Sequence, residues 1–347
     1  MRRIVITDNE GNRRLDRFLR KYLPGASLSL IYRLVRKNVK VNGGRVGADC
    51  MLREGDAVDI FLTDEKIDGF RREKKVTGAK RQFRIVFEDE NILVTDKPFG
   101  LLTHGDEREK KNTLANQVIG YLAEKGAYDP ATARTFSPAP VNRLDRNTTG
   151  LVLFGKNASA VRDFNAMMRT AGDVDKFYLT IVKGALTKKL ILRDRMIKDT
   201  DQNRVAVLPA ESGEGKLMET VAVPLKSLGA YTLTEVRLVT GRTHQIRAHM
   251  AGAGYPVVGD AKYGDRRVNA YMEKAFGLTT QFLHACRIEI NRGEGSLAYL
   301  AGSVFESELP ENLKRIRDSL GRGTGNVGRE PRTRNDGGSN GQGMNRK

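Results

Sequence analysis

Residues 141–151, Val-Asn-Arg-Leu-Asp-Arg-Asn-Thr-Thr-Gly-Leu, set one acid, Asp145, between two arginines, Arg143 and Arg146, in a polar turn. Opposite charges within a few ångströms favour the ionised form of a carboxylate. An ionised, positioned carboxylate beside a basic surface suits nucleophilic chemistry on a nucleic acid. A purely structural Asp–Arg turn is the plainer reading of the same residues. The elements that would position the acid, and the charge around it, decide between the two.

The turn leads directly into the apolar run Leu151-Val152-Leu153-Phe154, part of a strand expected near 151–155. Upstream, Phe83–Phe87 and Ile92–Thr95 flank an Asp89-Glu90-Asn91 turn, a hairpin signal, and Lys97-Pro98-Phe99-Gly100 then breaks the strand. Further strands are expected near 177–182, 219–227, 231–239 and 282–290, and helices over 112–124, 158–170, 242–252 and 310–319. Strands in succession with a few helices inserted predict an α+β domain over 82–320 with a mixed, mainly antiparallel sheet. No Walker-type loop occurs, and no G-x-G-x-x-G follows a strand, which argues against nucleotide hydrolysis and nicotinamide chemistry.

Charge is distributed unevenly along the 347 residues, whose net charge is +18. Residues 1–64 carry 13 Lys/Arg against 8 Asp/Glu, and residues 65–81 carry 7 against 3. The segment 321–347 carries 6 against 2, so the long middle is nearly balanced. Such flanks suit a polyanion, with the middle left for another task. Anionic membrane is the rival partner, but no long apolar stretch and no basic amphipathic helix beside one is present. Cys50 and Cys286 match no zinc or disulfide framework. The start, Met-Arg-Arg-Ile-Val-Ile-Thr-Asp, lacks the apolar core of a secretory signal, so a cytoplasmic location is expected.

In the first 64 residues, Leu15, Phe18, Leu19, Tyr22 and Leu23 mark one face of a helix. Ser27 fits as the N-cap of a second helix carrying Leu28, Ile31, Tyr32 and Val35 inward, with Arg33, Arg36 and Lys37 outside. Val39-Lys40-Val41, an Asn42-Gly43 turn and a strand at Ala57–Leu62 follow. This order resembles the alpha-L (S-four-like) RNA-binding domain of a small-subunit ribosomal protein, tyrosyl-tRNA synthetases and heat-shock RNA-binding proteins. The resemblance implies basic helices laid on phosphates. Residues 65–81, charged and holding Gly69 and Gly78, read as a linker. Residues 321–347, with 8 Gly, read as a disordered Gly/Arg-rich tail.

Four more segments stand out: Lys97-Pro98-Phe99-Gly100-Leu101-Leu102-Thr103-His104; Lys176-Phe177-Tyr178 with Val182-Lys183-Gly184; Leu238 to His249, containing Gly241-Arg242-Thr243-His244-Gln245-Ile246-Arg247; and Gly259-Asp260-Ala261-Lys262-Tyr263-Gly264 with Leu283-His284-Ala285. With Arg143-Leu144-Asp145-Arg146, their order and approximate spacing resemble the RluA/RluC/RluD family of RNA pseudouridine synthases over residues 83–300. The resemblance implies that Asp145 is the catalytic nucleophile. It would attack the uracil ring or the ribose anomeric carbon, letting the base detach, rotate and reattach through C5. It further implies that Arg247 pairs with that carboxylate, that Tyr178 packs against the target base, and that Arg143 fills the space of the flipped nucleotide. Leu283 would close the apolar side of the uracil pocket, and Arg242 would meet a phosphate. Asn142 departs from the family, whose members commonly have His there, and bears on positioning or substrate choice.

These roles make physical sense. Flipping a stacked nucleotide costs a few kcal/mol, and stacking on an aromatic such as Tyr178 returns about 1–3 kcal/mol. Isomerisation needs no redox change, so no cofactor is expected. His244 and His249 are five apart and share no helix face as an i, i+4 zinc pair would, so no metal is expected. Lys97-Pro98 is expected to shape the chain, because Pro fixes φ and ends the strand, and Gly259, Asp260, Tyr263 and Gly264 to serve as scaffold. The expected substrate is large-subunit (23S) ribosomal RNA, and the chain is expected to be a monomer. A tRNA-directed synthase and a non-catalytic ribosome-assembly factor remain the alternatives.

Overall fold

The computed structural model describes residues 1–71, 79–199 and 204–322. Its main sheet runs, edge to edge, Arg204–Pro209, Leu190–Asp199, Lys216–Ser227, Tyr231–Leu238, Val174–Lys183, Leu283–Ile290, Thr149–Gly155, Ile92–Lys97 and Arg84–Glu88. Short strands Ser303–Glu306 and Ala139–Pro140 join it beside Leu283–Ile290 and Thr149–Gly155. Neighbouring strands are antiparallel except at the centre, where Thr149–Gly155 runs parallel to Leu283–Ile290. The class is α+β, as expected.

That central junction explains the apolar run after the Asp145 turn. All of Thr149–Gly155 is buried. Val152 and Phe154 enter the core shared with the helices Leu114–Glu124 and Gln245–Gly252. Leu151 and Leu153 enter the opposite core, under the helix Ala158–Met167. A strand covered on both faces is continuously apolar rather than alternating. Gly150 permits the junction: its φ is +107°, and a Cβ there would lie 2.2 Å from the Ala285 carbonyl oxygen.

Thr113, Asn157 and Asp265 cap the helices Leu114–Glu124, Ala158–Met167 and Arg266–Phe276 by accepting backbone N–H bonds, which satisfies donors that a helix start leaves unpaired. The last of these helices, the paired strands Leu190–Asp199 and Arg204–Pro209, and the strand Ser303–Glu306 were not among the sequence expectations. The helix expected over 242–252 begins only at Gln245.

The first module has a core of its own, from Ile4 and Ile6 through Phe18, Leu19, Ile31 and Val35 to Ile60 and Ile67. Ser27 caps the helix Leu28–Asn38 as expected, accepting from the Leu30 N–H at 3.3 Å. Two residues expected inside this helix are outside: Leu28 and Tyr32 are 50% and 41% exposed. Leu34 takes the inward place, because Ile31, Leu34 and Val35 centre the helical stripe and leave Leu28 and Tyr32 on its margins. The expected linker also needs correction. Asp64–Phe70 is helical, and Ile67 is fully buried in the first module's core. The first module thus extends into the charged stretch, of which residues 72–78 lie outside the described residues. Of the expected tail, Gly321 and Arg322 finish the helix Glu311–Arg322; the rest lies outside the described residues.

The first module is joined directly to the larger one. Arg134 donates to the Val5 carbonyl at 2.7 Å, Arg13 to the Thr135 hydroxyl at 3.1 Å, and the Ala158 N–H to the Asn9 side chain at 2.9 Å.

Candidate active site

The Asp145 turn is held from below by the strand-breaking segment upstream. Thr103 brackets Leu144: its hydroxyl donates to the Leu144 carbonyl at 3.0 Å and accepts from the Leu144 N–H at 3.1 Å. On the far side of Asp145, the fully buried Lys97 donates to the carbonyls of Arg146, Leu101 and Pro98 at 3.0, 2.8 and 3.1 Å. Burial pushes the Lys97 ammonium down to about 7, with Asp145 and Asp96 opposing. Lys97 therefore ties together the two loops that place Asp145, a role that reading Lys97-Pro98 as a chain-shaping break had missed.

Asp145 opens onto a cavity of about 370 Å³ between the sheet and the N-terminal end of the helix Gln245–Gly252. Arg143, Tyr178, Arg242, Arg247 and Leu283 line it as well, so the six residues singled out in the sequence come together. The Arg247 guanidinium donates to Asp145 Oδ2 at 2.9 Å. Arg247 is 6% exposed and Asp145 23%, so the acid faces the cavity while its partner lies behind it. Tyr178 and Leu283 are buried in the wall. Burial first, and Asp145 second, raise the Tyr178 phenol above its ordinary range. Arg143 and Arg242 are exposed at the mouth. Arg242 reaches the Leu217 carbonyl at 3.3 Å, and Arg146 turns away toward Asp106 at 3.4 Å.

Arg247 is itself held by a residue read earlier as scaffold. Its Nε and Nη2 donate to the two oxygens of the fully buried Asp260, at 2.7 and 2.8 Å. Burial alone would raise Asp260, but Arg247 and the N–H groups of Lys262 and Tyr263 outweigh it and hold the acid below the usual carboxylate range. Burial would likewise lower Arg247, and Asp260 with Asp145 reverse that. The guanidinium thus sits in a two-point, bidentate cradle with one arm left for Asp145.

The histidines divide by position. His244, left-handed at φ +55° at the helix start, lines the cavity with Nε2 3.9 Å from Asp145 Oδ2. Its Nδ1 is 3.0 Å from the Tyr263 hydroxyl, which accepts the Val205 N–H at 2.9 Å. Burial holds His244 below its ordinary value against the pull of Asp145. His249 points the other way, between Thr220 and Asp194, and His284 lies between Thr149 and the Ser307 carbonyl. Asn142 completes the wall with its amide bridging the Leu151 carbonyl and the Leu153 N–H, at 3.2 and 2.8 Å. It stabilises the start of the central strand as an extra ladder rung would.

A family model described as RNA pseudouridylate synthase matches residues 91–252, which include Asp145, Tyr178 and Arg247. The chain is 36% identical over 321 residues to "Ribosomal large subunit pseudouridine synthase C" of Vibrio vulnificus, covering 91% of this chain and 96% of that protein. It is 32% identical over 324 residues to the Escherichia coli protein of the same name, with coverage of 91% and 96%. The chain belongs to the RNA pseudouridylate synthase family. It is thus an enzyme that converts uridine in RNA to pseudouridine, of the RluA/RluC/RluD type. A solved structure titled "Human RNA Pseudouridylate Synthase Domain Containing 4" superposes with a TM-score of 0.53 at 21% identity, over 67% of this chain and 92% of that one, a likeness of fold.

Among the described residues no helix is long and apolar enough to cross a membrane. Among them also, no three of His, Cys, Asp and Glu gather in an arrangement able to hold a metal ion.

Proposed function

We propose that Asp145 is the nucleophile of the isomerisation and that the substrate is large-subunit ribosomal RNA. The observation that carries the site assignment is the Arg247–Asp145 contact of 2.9 Å at the edge of a cavity walled by Tyr178. The uridine enters this cavity flipped from its stack, the Tyr178 ring packs against the base, and Leu283 closes the apolar side. Arg143 fills the place the nucleotide leaves, and Arg242 meets a backbone phosphate. Arg247 holds the Asp145 carboxylate in place for attack on the ring or the anomeric carbon. The His244 ring faces the same carboxylate from the helix start, with Nε2 3.9 Å away.

The ribosomal substrate is supported by the names of the full-length relatives and by the basic first module. In that module Arg17, Arg20, Lys21, Arg33, Arg36 and Lys37 are exposed around a closed core. We read it as an alpha-L RNA-binding domain on residues 1–71, which grips phosphates and leaves the choice of uridine to the larger domain. A monomer acting in the cytoplasm, where ribosomal RNA of this type is assembled, fits the reading.

The test maps pseudouridines in total RNA from cells with and without the gene, complemented by wild type or Asp145→Asn. The expected result is one or more large-subunit sites that vanish with the gene and return only with wild type. Sites lost from tRNA instead would reassign the substrate, and restoration by Asp145→Asn would remove Asp145 from the chemistry.

A further inference from the structure

Lys176 begins the Lys-Phe-Tyr segment, yet no step above uses it. Its side chain lines the same cavity as Asp145 and Tyr178. It is half-buried, and among the described residues its one hydrogen-bonding contact is the thioether of Met168, at 3.8 Å. Asp175, the neighbouring acid, is engaged elsewhere, with Arg237 at 3.2 Å and Asn291 at 3.1 Å. Burial accordingly lowers the Lys176 ammonium from its ordinary value. Asp175 opposes that lowering, but it is shared with Arg237 and Asn291, and a partly desolvated cation so weakly matched is costly unless a ligand completes it. Lys97, bonded to the Asp145 turn, shows the contrasting case: a buried ammonium with three carbonyls around it.

Geometry narrows the ligand. Residues two apart on a strand present side chains to one face about 7 Å from each other, so Lys176 stands one such step along the wall from Tyr178. That is the scale on which a nucleotide separates its base from its phosphate. The compact ammonium acts as a point charge suited to a phosphate oxygen, and the exposed Arg143 adds a second cation to the lining of the same cavity.

Resting on the assignment of this cavity as the uridine site, we propose that Lys176 binds the RNA phosphate adjacent to the flipped uridine, holding the backbone while the base lies on Tyr178. It is a substrate-binding residue that sets how tightly the flipped nucleotide is kept.

The experiment measures steady-state pseudouridine formation on protein-free large-subunit ribosomal RNA transcribed in vitro, across a range of salt. Wild type, Lys176→Met, Lys176→Gln, Lys176→Arg and Asp145→Asn are compared as full-length proteins. Lys176→Met and Lys176→Gln are expected to raise KM about tenfold or more with kcat close to wild type. Their plots of log(kcat/KM) against log salt should be shallower by about 0.7, the value of one single-strand phosphate contact. Lys176→Arg should recover most of both. An unchanged KM and salt slope in the neutral variants overturns the proposal, as does a fall in kcat at unchanged slope, which would put the ammonium on the reacting base. Product from Asp145→Asn, or none from wild type, would instead defeat the assignment of the cavity, so the two failures are distinguishable.

Discussion

At one end of the cavity, Arg247 meets Asp260 through two hydrogen bonds and Asp145 through a third, and Asp260 spends its remaining capacity on two backbone N–H groups. At the other end, Lys176 touches a thioether. The closed end is complete before RNA arrives, so its geometry costs no reorganisation at the moment of reaction. The open end is completed by the substrate and is suited to binding. One site therefore separates preorganisation from recognition along its length, and mutations at the two ends should differ in what they damage.

The largest effect is expected at Asp260. Asp260→Ala strips Arg247 of its cradle and leaves a buried guanidinium with one partner, which should cost about 3–5 kcal/mol of folding stability. The residual folded enzyme should have a much lower kcat, because Arg247 no longer holds Asp145. The sign of the pH dependence follows from the Asp260 shift. A carboxylate whose folded pKa is depressed contributes stability above its unfolded value and loses it as pH falls through the folded value. The gap between wild type and Asp260→Asn in urea denaturation should thus be full at pH 6 and shrink below about pH 4. A variant as stable and active as wild type would break the distinction between the two ends.

The next effect compares two lysines. Lys97→Met leaves one buried and two part-buried carbonyls short of a donor and frees both loops around Asp145, at a cost of about 1–3 kcal/mol. It should also lower kcat with little change in KM. Lys176→Met should leave the urea midpoint at or above that of wild type, since it replaces a poorly matched buried charge with an apolar side chain. Equal destabilisation by both changes would mean that the Lys176 wall, too, is structural.

How much of this was legible in the sequence differs between the ends in the same way. The apolar run after Asp145 announced a strand, and that strand is buried on both faces. The paired strands Leu190–Asp199 and Arg204–Pro209 went unseen because their alternation is broken by charge and by Ile191, an apolar residue 65% exposed. The helix Arg266–Phe276 did carry a readable signal in its Asp265 cap and left-handed Gly277, obscured by its high charge. In the site, Asp145 and Arg247 are 102 residues apart, and only resemblance to a family linked them. Asp260 and Lys97 escaped because a buried charge is recognised by its partners, and those come from loops whose approach no local periodicity encodes. Lys176 was in plain view within its motif; that its hydrogen bonding among the described residues is limited to the Met168 thioether became visible only once the surrounding side chains were placed.

The smallest effect is at the rim. Arg242 is exposed and bonded to one backbone carbonyl at 3.3 Å, so Arg242→Ala should change stability by no more than about 0.5 kcal/mol. If Arg242 meets a phosphate, KM for ribosomal RNA should rise severalfold and the salt slope should become shallower by about 0.7, with kcat untouched. Combined with Lys176→Met, the two losses should add, because each cation neutralises its own phosphate and the sites share no partner. A double variant no weaker than either single one would mean that both cations serve one phosphate, and the open end would then be a single clamp.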